Sequence, residues 1–390
     1  MFRQVQKKAM PILHRLWKSW RYAKITLAFV VLSFVNMEKI KYFQPRTILM
    51  EPYSTLEYSV AVEDSISDTA ILYKVSSKEG FPIYFYRELF TPVCFDNKCR
   101  PLTIRLYWNV TGRYLGFELP EGEFLSKTDH DPFTTEEYEK LNGILANEST
   151  PLASIDYNQL TVDANSHGLD DIDGIASATP QNLAPYVING AAYTTYKLWH
   201  EINGPMKRKV QDLTIDDLSP ALVLKILKSP VLVDKIWALE RIDGYVEFTT
   251  ELKEQVFELM KDDNYIIVEK ALNAINVNEL DSDNVQQRLM ETLVHENYNI
   301  QIRVIEKIAD CDALKTSVTM GLVENLGDLN GQVLKKALLV LGKQKLTSDI
   351  YFKIAELLRS ENRFISNSVK MFLQNENIKE PQILTLLKEE

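Results

Sequence analysis

From residue 227 onward, apolar and polar positions recur with a long, fixed period. Five stretches align without gaps: "LKSPVLVDKIWALERI" at 227–242, "MKDDNYIIVEKALNAI" at 260–275, "LVHENYNIQIRVIEKI" at 293–308, "LGDLNGQVLKKALLVL" at 326–341 and "LRSENRFISNSVKMFL" at 358–373. Their starts lie 33, 33, 33 and 32 residues apart. Such regularity marks stacked supersecondary units, each too small to bury its apolar face alone. Each unit reads as the end of one helix, a short polar turn and an amphipathic helix. In the second, Ile267, Ala271, Leu272 and Ile275 share one helical face. Intervening segments such as "DSDNVQQRLMETL" and "LTSDIYFKIAELL" supply the partner helices, and their Ser-Asp starts are good N-caps. The pattern predicts an α-solenoid over residues 206–390, about five repeats of 33 residues. Solenoids offer extended binding surfaces, so a protein partner is expected to dock there.

Upstream the period shortens to two. Between residues 50 and 125, "LEYSVAVE", "TAILYKVS", "FPIYFYRELF", "LTIRLYWNV" and "RYLGFEL" are rich in branched and aromatic residues and are separated by Gly, Pro, Asn and Asp. They read as strands. A helix is predicted over 134–147, with Thr134 and Glu137 forming a capping box, and a second from 180 to about 202. Strands followed by helices indicate an α+β domain on an antiparallel sheet over residues 50–205. The fold class expected is thus α+β followed by an all-α solenoid.

Charge changes the picture at one end. Seven of the 44 basic residues fall within residues 1–24, which hold no acid; the remainder sets 37 basic against 54 acidic residues. An acidic body argues against nucleic acid as a partner, because phosphate neutralisation needs a basic face. The basic head runs into "ITLAFVVLSFV", residues 25–35. At about 1.5 Å per residue this run covers roughly half a hydrocarbon core. Basic-then-apolar order over residues 1–40 fits a secretory signal cleaved after Ser33, or an uncleaved anchor with its basic side in the cytoplasm. The protein is then exported, either periplasmic or membrane-associated through residues 25–35 and facing the periplasm. A buried strand or helix is the other reading of the same run.

Three cysteines are present. In "VCFDNKCR", residues 93–100, Asp96-Asn97 suits a two-residue hairpin turn. Cys94 and Cys99 then form a cross-strand pair with Cα atoms about 4.5 Å apart, at the short end of the disulfide range. A structural bridge, two reduced thiols, and a redox-active or metal-binding pair all fit this geometry. Asp129 and His130 in "TDHDPF" suit either a metal beside the cysteines or a self-bonded turn, and no metal site is assigned. Cys311 reads as a small core residue and His295 as a solvated turn residue. The five histidines show no nucleophile, base and orienter set, which disfavours a hydrolase.

One loop carries a resemblance. "DGIASATPQ", residues 173–181, resembles the attachment loop of FMN-binding domains found in the sodium-pumping NADH:quinone reductase, the Rnf complex and NosR-type regulators. That loop reads Asp-x-x-Ser-Gly-Ala-Thr-Ser/Thr, and its last hydroxyl forms a phosphoester with FMN. Asp173, Ala178 and Thr179 match it. Ala176 and Ser177 replace the Ser-Gly pair, and Pro180 stands at the acceptor position, where it has no hydroxyl to offer. The resemblance therefore implies FMN bound non-covalently. Asp173, Ser177, Ala178, Thr179 and Gln181 would form its loop, with the amides of Gln181 and Asn182 on the phosphate at a helix N-terminus. Tyr107, Trp108, Tyr114, Tyr193 and Trp199 would be available to stack on the ring. The residues also fit a ligand-free reading: Thr179 caps a helix and Pro180 fills its first position, and the aromatics are core.

The stretches "CRPLTIRLYWNVTGRYLGFELPEGEFLSKTDHDPFTTEEYEKLNGILA" and "INGAAYTTYKLWHEINGP" resemble exported bacterial proteins with an FMN-binding-like domain, and the C-terminal repeats resemble short HEAT-type repeats. Two functions are in play. One is an exported or anchored accessory protein of an electron-transfer system that docks a partner through its solenoid. The other is a non-enzymatic scaffold whose flavin-like domain is only structural.

Overall fold

The computed structural model of the chain describes residues 39–61, 69–92, 101–127, 130–156, 160, 183–294, 297–329, 331–376 and 378–389. An antiparallel six-stranded sheet comes first and a run of helices follows, the α+β-then-helical class that the pattern predicts.

The strands are β1 (Lys41–Phe43), β2 (Ser54–Ala61), β3 (Thr69–Ser76), β4 (Pro82–Thr91), β5 (Leu102–Asn109) and β6 (Tyr114–Glu118), in spatial order β1-β6-β5-β4-β3-β2. The five expected strands are β2 to β6, and they run as a meander. Strand β1 is too short to show a period; it pairs along the outer edge of β6, with Tyr42 opposite Phe117. Strand β4 shows the alternation that fixes the faces: Ile83, Phe85, Arg87 and Leu89 are buried, while Glu88 and Phe90 between them are exposed. On the opposite face Tyr73 and Tyr86, paired across β3 and β4, stack with ring centroids 4.6 Å apart.

Helix α1 (Thr135–Ala146) starts as the sequence predicts. The Glu137 N–H donates to Thr134 Oγ1 and the Thr134 N–H donates to Glu137 Oε2 at 2.8 Å, a complete capping box. Its Tyr138 stacks on Tyr42 at 6.0 Å and accepts the Leu125 N–H at its hydroxyl at 2.8 Å. The second expected helix differs. Helix α2 spans Ala192–Asn203, not 180 to 202. Residues 183–191 form a 3₁₀ turn at Ala184–Tyr186 and then a bend. Gly190 bends the chain at φ +73°, and Pro185 offers no N–H to an upstream turn, so "LAPYVING" does not continue as helix. The Thr195 hydroxyl fixes the bend by accepting the Ile188 N–H at 3.1 Å and donating to the Ala191 carbonyl at 2.9 Å.

By packing, the chain divides into two compact units, one of Met1–Phe43, Glu88–Leu106 and Gly116–Leu198, the other of Gln44–Arg87, Tyr107–Leu115 and Trp199–Glu390. The division cuts through strands rather than following the chain.

The second unit holds the helical array. Helix α3 (Pro205–Asp216) precedes five pairs: α4 (Pro220–Leu227) with α5 (Leu232–Leu239), α6 (Thr250–Leu259) with α7 (Tyr265–Ala274), α8 (Asp283–Leu293) with α9 (Tyr298–Ala309), α10 (Thr316–Asn325) with α11 (Gly331–Gly342), and α12 (Ser348–Glu356) with α13 (Arg363–Asn375). Helix α14 (Pro381–Glu389) follows them. The second helices pack in an unbroken row, α5 on α7, α7 on α9, α9 on α11 and α11 on α13. Each repeat thus buries its neighbour's apolar face. Among the described residues, asparagine opens three of these helices at one register. The side chains of Asn264, Asn297 and Asn362 accept the N–H of Ile266, Asn299 and Phe364 at 2.9, 2.9 and 3.0 Å.

Candidate functional site

The loop residues expected to hold FMN, Asp173, Ser177, Ala178, Thr179 and Gln181, lie outside the described residues. So do Cys94, Cys99, Asp129, His295 and the apolar run 25–35. Several of the candidate stacking aromatics are core side chains. Trp108 is fully buried and donates its indole N–H to the Ile202 carbonyl at 2.9 Å. Tyr114 is also buried, and burial pushes its hydroxyl well above the ordinary tyrosine range. Tyr107 packs between Tyr84 and Tyr86, with ring centroids 5.9 and 5.8 Å away, and Trp199 is buried edge-on to His200. Cys311 is buried as expected; burial pushes its thiol up to about 11, so little thiolate forms near neutrality. His130 sits exposed at φ 65° and donates its own N–H to the Lys127 carbonyl, closing the turn that contains it. Among the described residues, no three of His, Cys, Asp and Glu converge as a metal site, and no helix is long and apolar enough to cross a membrane.

The most ordered polar cluster is one the sequence reading passed over. The eighth position of the five aligned repeats reads Asp234, Ile267, Ile300, Val333 and Ile365. All five are buried. An aspartate thus stands where its counterparts are branched aliphatics. A lone buried carboxylate is costly, so it must be fully bonded or neutralised. Here five donors converge on it. Thr47 Oγ1 and Ser229 Oγ each donate to Oδ2 at 2.8 Å, and Thr111 Oγ1 donates to Oδ1 at 2.7 Å. Arg113 adds a two-pronged contact, Nε to Oδ1 at 3.1 Å and Nη2 to Oδ2 at 3.0 Å. The fork geometry matches a carboxylate and fixes its plane.

Local structure puts these donors in place. Gly112, at φ +79°, lets the chain turn between β5 and β6, which leaves Thr111 and Arg113 on the rim of the turn. A Cβ on Gly112 would come within 2.7 Å of Gln211 Cγ, and Gln211 donates to the Thr111 carbonyl at 3.0 Å. Asn109 accepts the Thr47 N–H at 3.0 Å. The same repeat carries Val231 where three others have their asparagine cap, and Val231 makes no side-chain cap. Two further ion pairs bind strand residues to helices of this unit: Lys74 to Asp217 at 2.7 Å and Arg87 to Glu201 at 2.6 Å.

Two further columns run along the second helices, and the fourteenth position faces outward. The fourteenth repeat position reads Glu240, Asn273, Glu306, Leu339 and Met371, and the eleventh reads Trp237, Lys270, Arg303, Lys336 and Ser368. Where acid and base face each other they pair across repeats, Lys270 with Glu240 at 2.5 Å and Lys336 with Glu306 at 3.0 Å. Arg303, opposite Asn273, takes Glu269 at 3.1 Å. The ladder stops there. Leu339 and Met371 are 69% and 66% exposed, more than the polar context of their column predicts.

No family model and no curated protein matches the chain. Among solved structures, a crystal structure of an engineered protein aligns at TM-score 0.29 and 14% identity, over 51% of this chain and 57% of that one. A likeness that loose carries no argument about fold or function.

Proposed function

We propose that this chain is a docking protein. Its helical array holds a partner, and β2, β3 and the turn between β5 and β6, which belong to the same unit, secure the start of the array. The observation behind this reading is the split behaviour of the repeat: inward positions repeat as aliphatics, while the outward column of the second helices changes character along the row. Selection for stability alone accounts for the inward column. It does not account for Leu339 and Met371 left in water at a position where the earlier repeats carry Glu240, Asn273 and Glu306.

The test places a photo-crosslinking residue in the full chain at positions 240, 273, 306, 339 and 371, one at a time, in the cell that makes the protein. A discrete stoichiometric adduct at one or more positions is the expected result. No adduct at any of the five overturns the docking reading.

The flavin proposal takes its binding residues from the loop at 173–181. It is decided by an absorbance spectrum of the purified protein before and after acid precipitation. Flavin bands that leave with the supernatant support non-covalent FMN and an accessory role in electron transfer. Their absence, with no spectral change on adding FMN, ends it. Export through the basic and apolar N-terminal segment is a separate proposal, tested by fractionation with N-terminal sequencing.

A further inference from the structure

Helices α11 and α13 differ from the other second helices in charge. The chain carries a formal net charge of −10, yet "GQVLKKALLVLG" and "RFISNSVKMFLQN" contain Lys335, Lys336, Arg363 and Lys370 and no acid at all. Helices α7 and α9, by contrast, mix Glu269 with Lys270 and Arg303 with Glu306. Lys336 is taken by Glu306. Among the described residues, Lys335, Arg363, Lys370 and the adjoining Lys343 have no carboxylate partner. The nearby acid at one end, Glu376, accepts the Tyr351 hydroxyl at 3.0 Å. Within this basic rim stand Leu339, Met371 and Phe364, the last 39% exposed beneath the Lys335 ammonium, which lies 5.6 Å from its ring centre. Phe364 and Met371 stand seven residues apart on one side of α13, and Leu339 holds the same repeat position as Met371 on the adjoining α11, so the three apolar side chains belong to one face.

We propose that this face of α11 and α13 binds an acidic amphipathic helix of a partner protein. The inference rests on the docking reading and names its surface and chemistry. Charge complementarity selects an acidic ligand. Phe364 and Met371 stand seven residues apart, about 10.5 Å along α13, the distance between apolar anchors two turns apart on a partner helix. Discrete anchors interrupted by Asn367, Ser368 and Gln332 suit side-chain sockets. An interfacial lipid site would present a continuous apolar stripe instead. The neighbouring repeats, whose charges already neutralise one another, give such a ligand nothing to hold.

The probe is a labelled helical peptide of about sixteen residues with leucines at i, i+3, i+4 and i+7 and glutamates elsewhere, followed by anisotropy with the full chain. Saturable binding that weakens with salt is expected. Leu339→Glu with Met371→Glu, and separately Lys335→Glu with Arg363→Glu, should each weaken it by about tenfold or more. Lys261→Glu, on a different element, should leave it unchanged. All substituted side chains are exposed, and circular dichroism checks that each variant folds.

The proposal is overturned if no binding occurs, if a lysine version of the peptide binds equally, or if the face variants bind like the parent. Binding only to phosphatidylserine-containing vesicles would assign the face to lipid. A concentration-dependent dimer abolished by the Leu339 and Met371 changes would assign it to a second copy. Crosslinks confined to positions 240, 273 or 306 would remove this face and leave the docking reading standing, whereas no crosslink at any position removes both.

Discussion

The first helix pair and the last two depart from one 33-residue pattern in opposite directions. In the first, an inward position becomes Asp234 and is covered by Thr47, Thr111, Arg113 and Ser229. In the last two, outward positions become Leu339 and Met371 and stay in water. A repeat supplies its own control. In the middle units the eighth position is a buried aliphatic and the charges of the eleventh and fourteenth positions are paired. A charge turned inward ties the array to the connections that flank the strands, and apolar residues turned outward leave a surface for another molecule.

The largest effect should come from the inward departure. Asp234→Ala strands Arg113 beside three unmatched hydroxyls and should cost about 3–5 kcal/mol, read from the midpoint of urea unfolding at constant slope. Asp234→Ile restores the repeat consensus but leaves Arg113 behind. Pairing it with Arg113→Met should recover most of the loss, because a buried ion pair replaced whole by apolar side chains is often neutral. If Asp234→Ala costs nothing, the cluster is no anchor and the comparison fails at its first term.

Asn297→Ala, in a middle repeat, should cost about 1 kcal/mol through the lost cap, and Asn264→Ala about the same. The Lys74 and Asp217 pair sharpens the comparison through pH. Burial lowers the Lys74 pKa, but hydrogen bonding to Asp217 and Tyr58 outweighs it, and the net shift is upward. A lysine whose folded pKa is raised contributes fully below its unfolded value, about 10.4, and loses that contribution as pH climbs through the higher folded value. Alkaline unfolding should therefore come at lower pH, relative to neutral stability, in the parent than in Lys74→Met. Last, Leu339→Glu with Met371→Glu should shift stability by no more than about 0.5 kcal/mol, as exposed positions do, while improving solubility. A large loss there would mean the two side chains support the fold and are not kept for a ligand.

Much of the architecture was legible because periodicity reports burial directly. The spacing of 33 residues places all five second helices, and alternation places β2 to β6. Strand β1, with three residues, carries no period to read. The helix after residue 180 was misjudged because apolar spacing in "LAPYVINGAAYTTY" looks helical, while Pro185 and Gly190 decide the backbone. Asp234 was visible and overlooked. Aligning the repeats by column sets an acid against Ile267, Ile300, Val333 and Ile365, and an odd charge in an aliphatic column demands a partner. The identity of that partner was not readable, since Arg113 and Thr47 are brought to it only by the sheet. The outward change at Leu339 and Met371 is equally present in the alignment, but exposure, which gives it meaning, comes from the packed helices.

Asp234 also bears on the order in which the chain can finish folding. Thr47 and Asp234 are 187 residues apart, and Thr111 and Asp234 are 123 apart. At a synthesis rate of about 5–20 residues per second, the strands emerge many seconds before the carboxylate that completes them. During that interval the Arg113 guanidinium must stay hydrated and the turn between β5 and β6 must wait open. The first helix pair then acts as a late-arriving keystone.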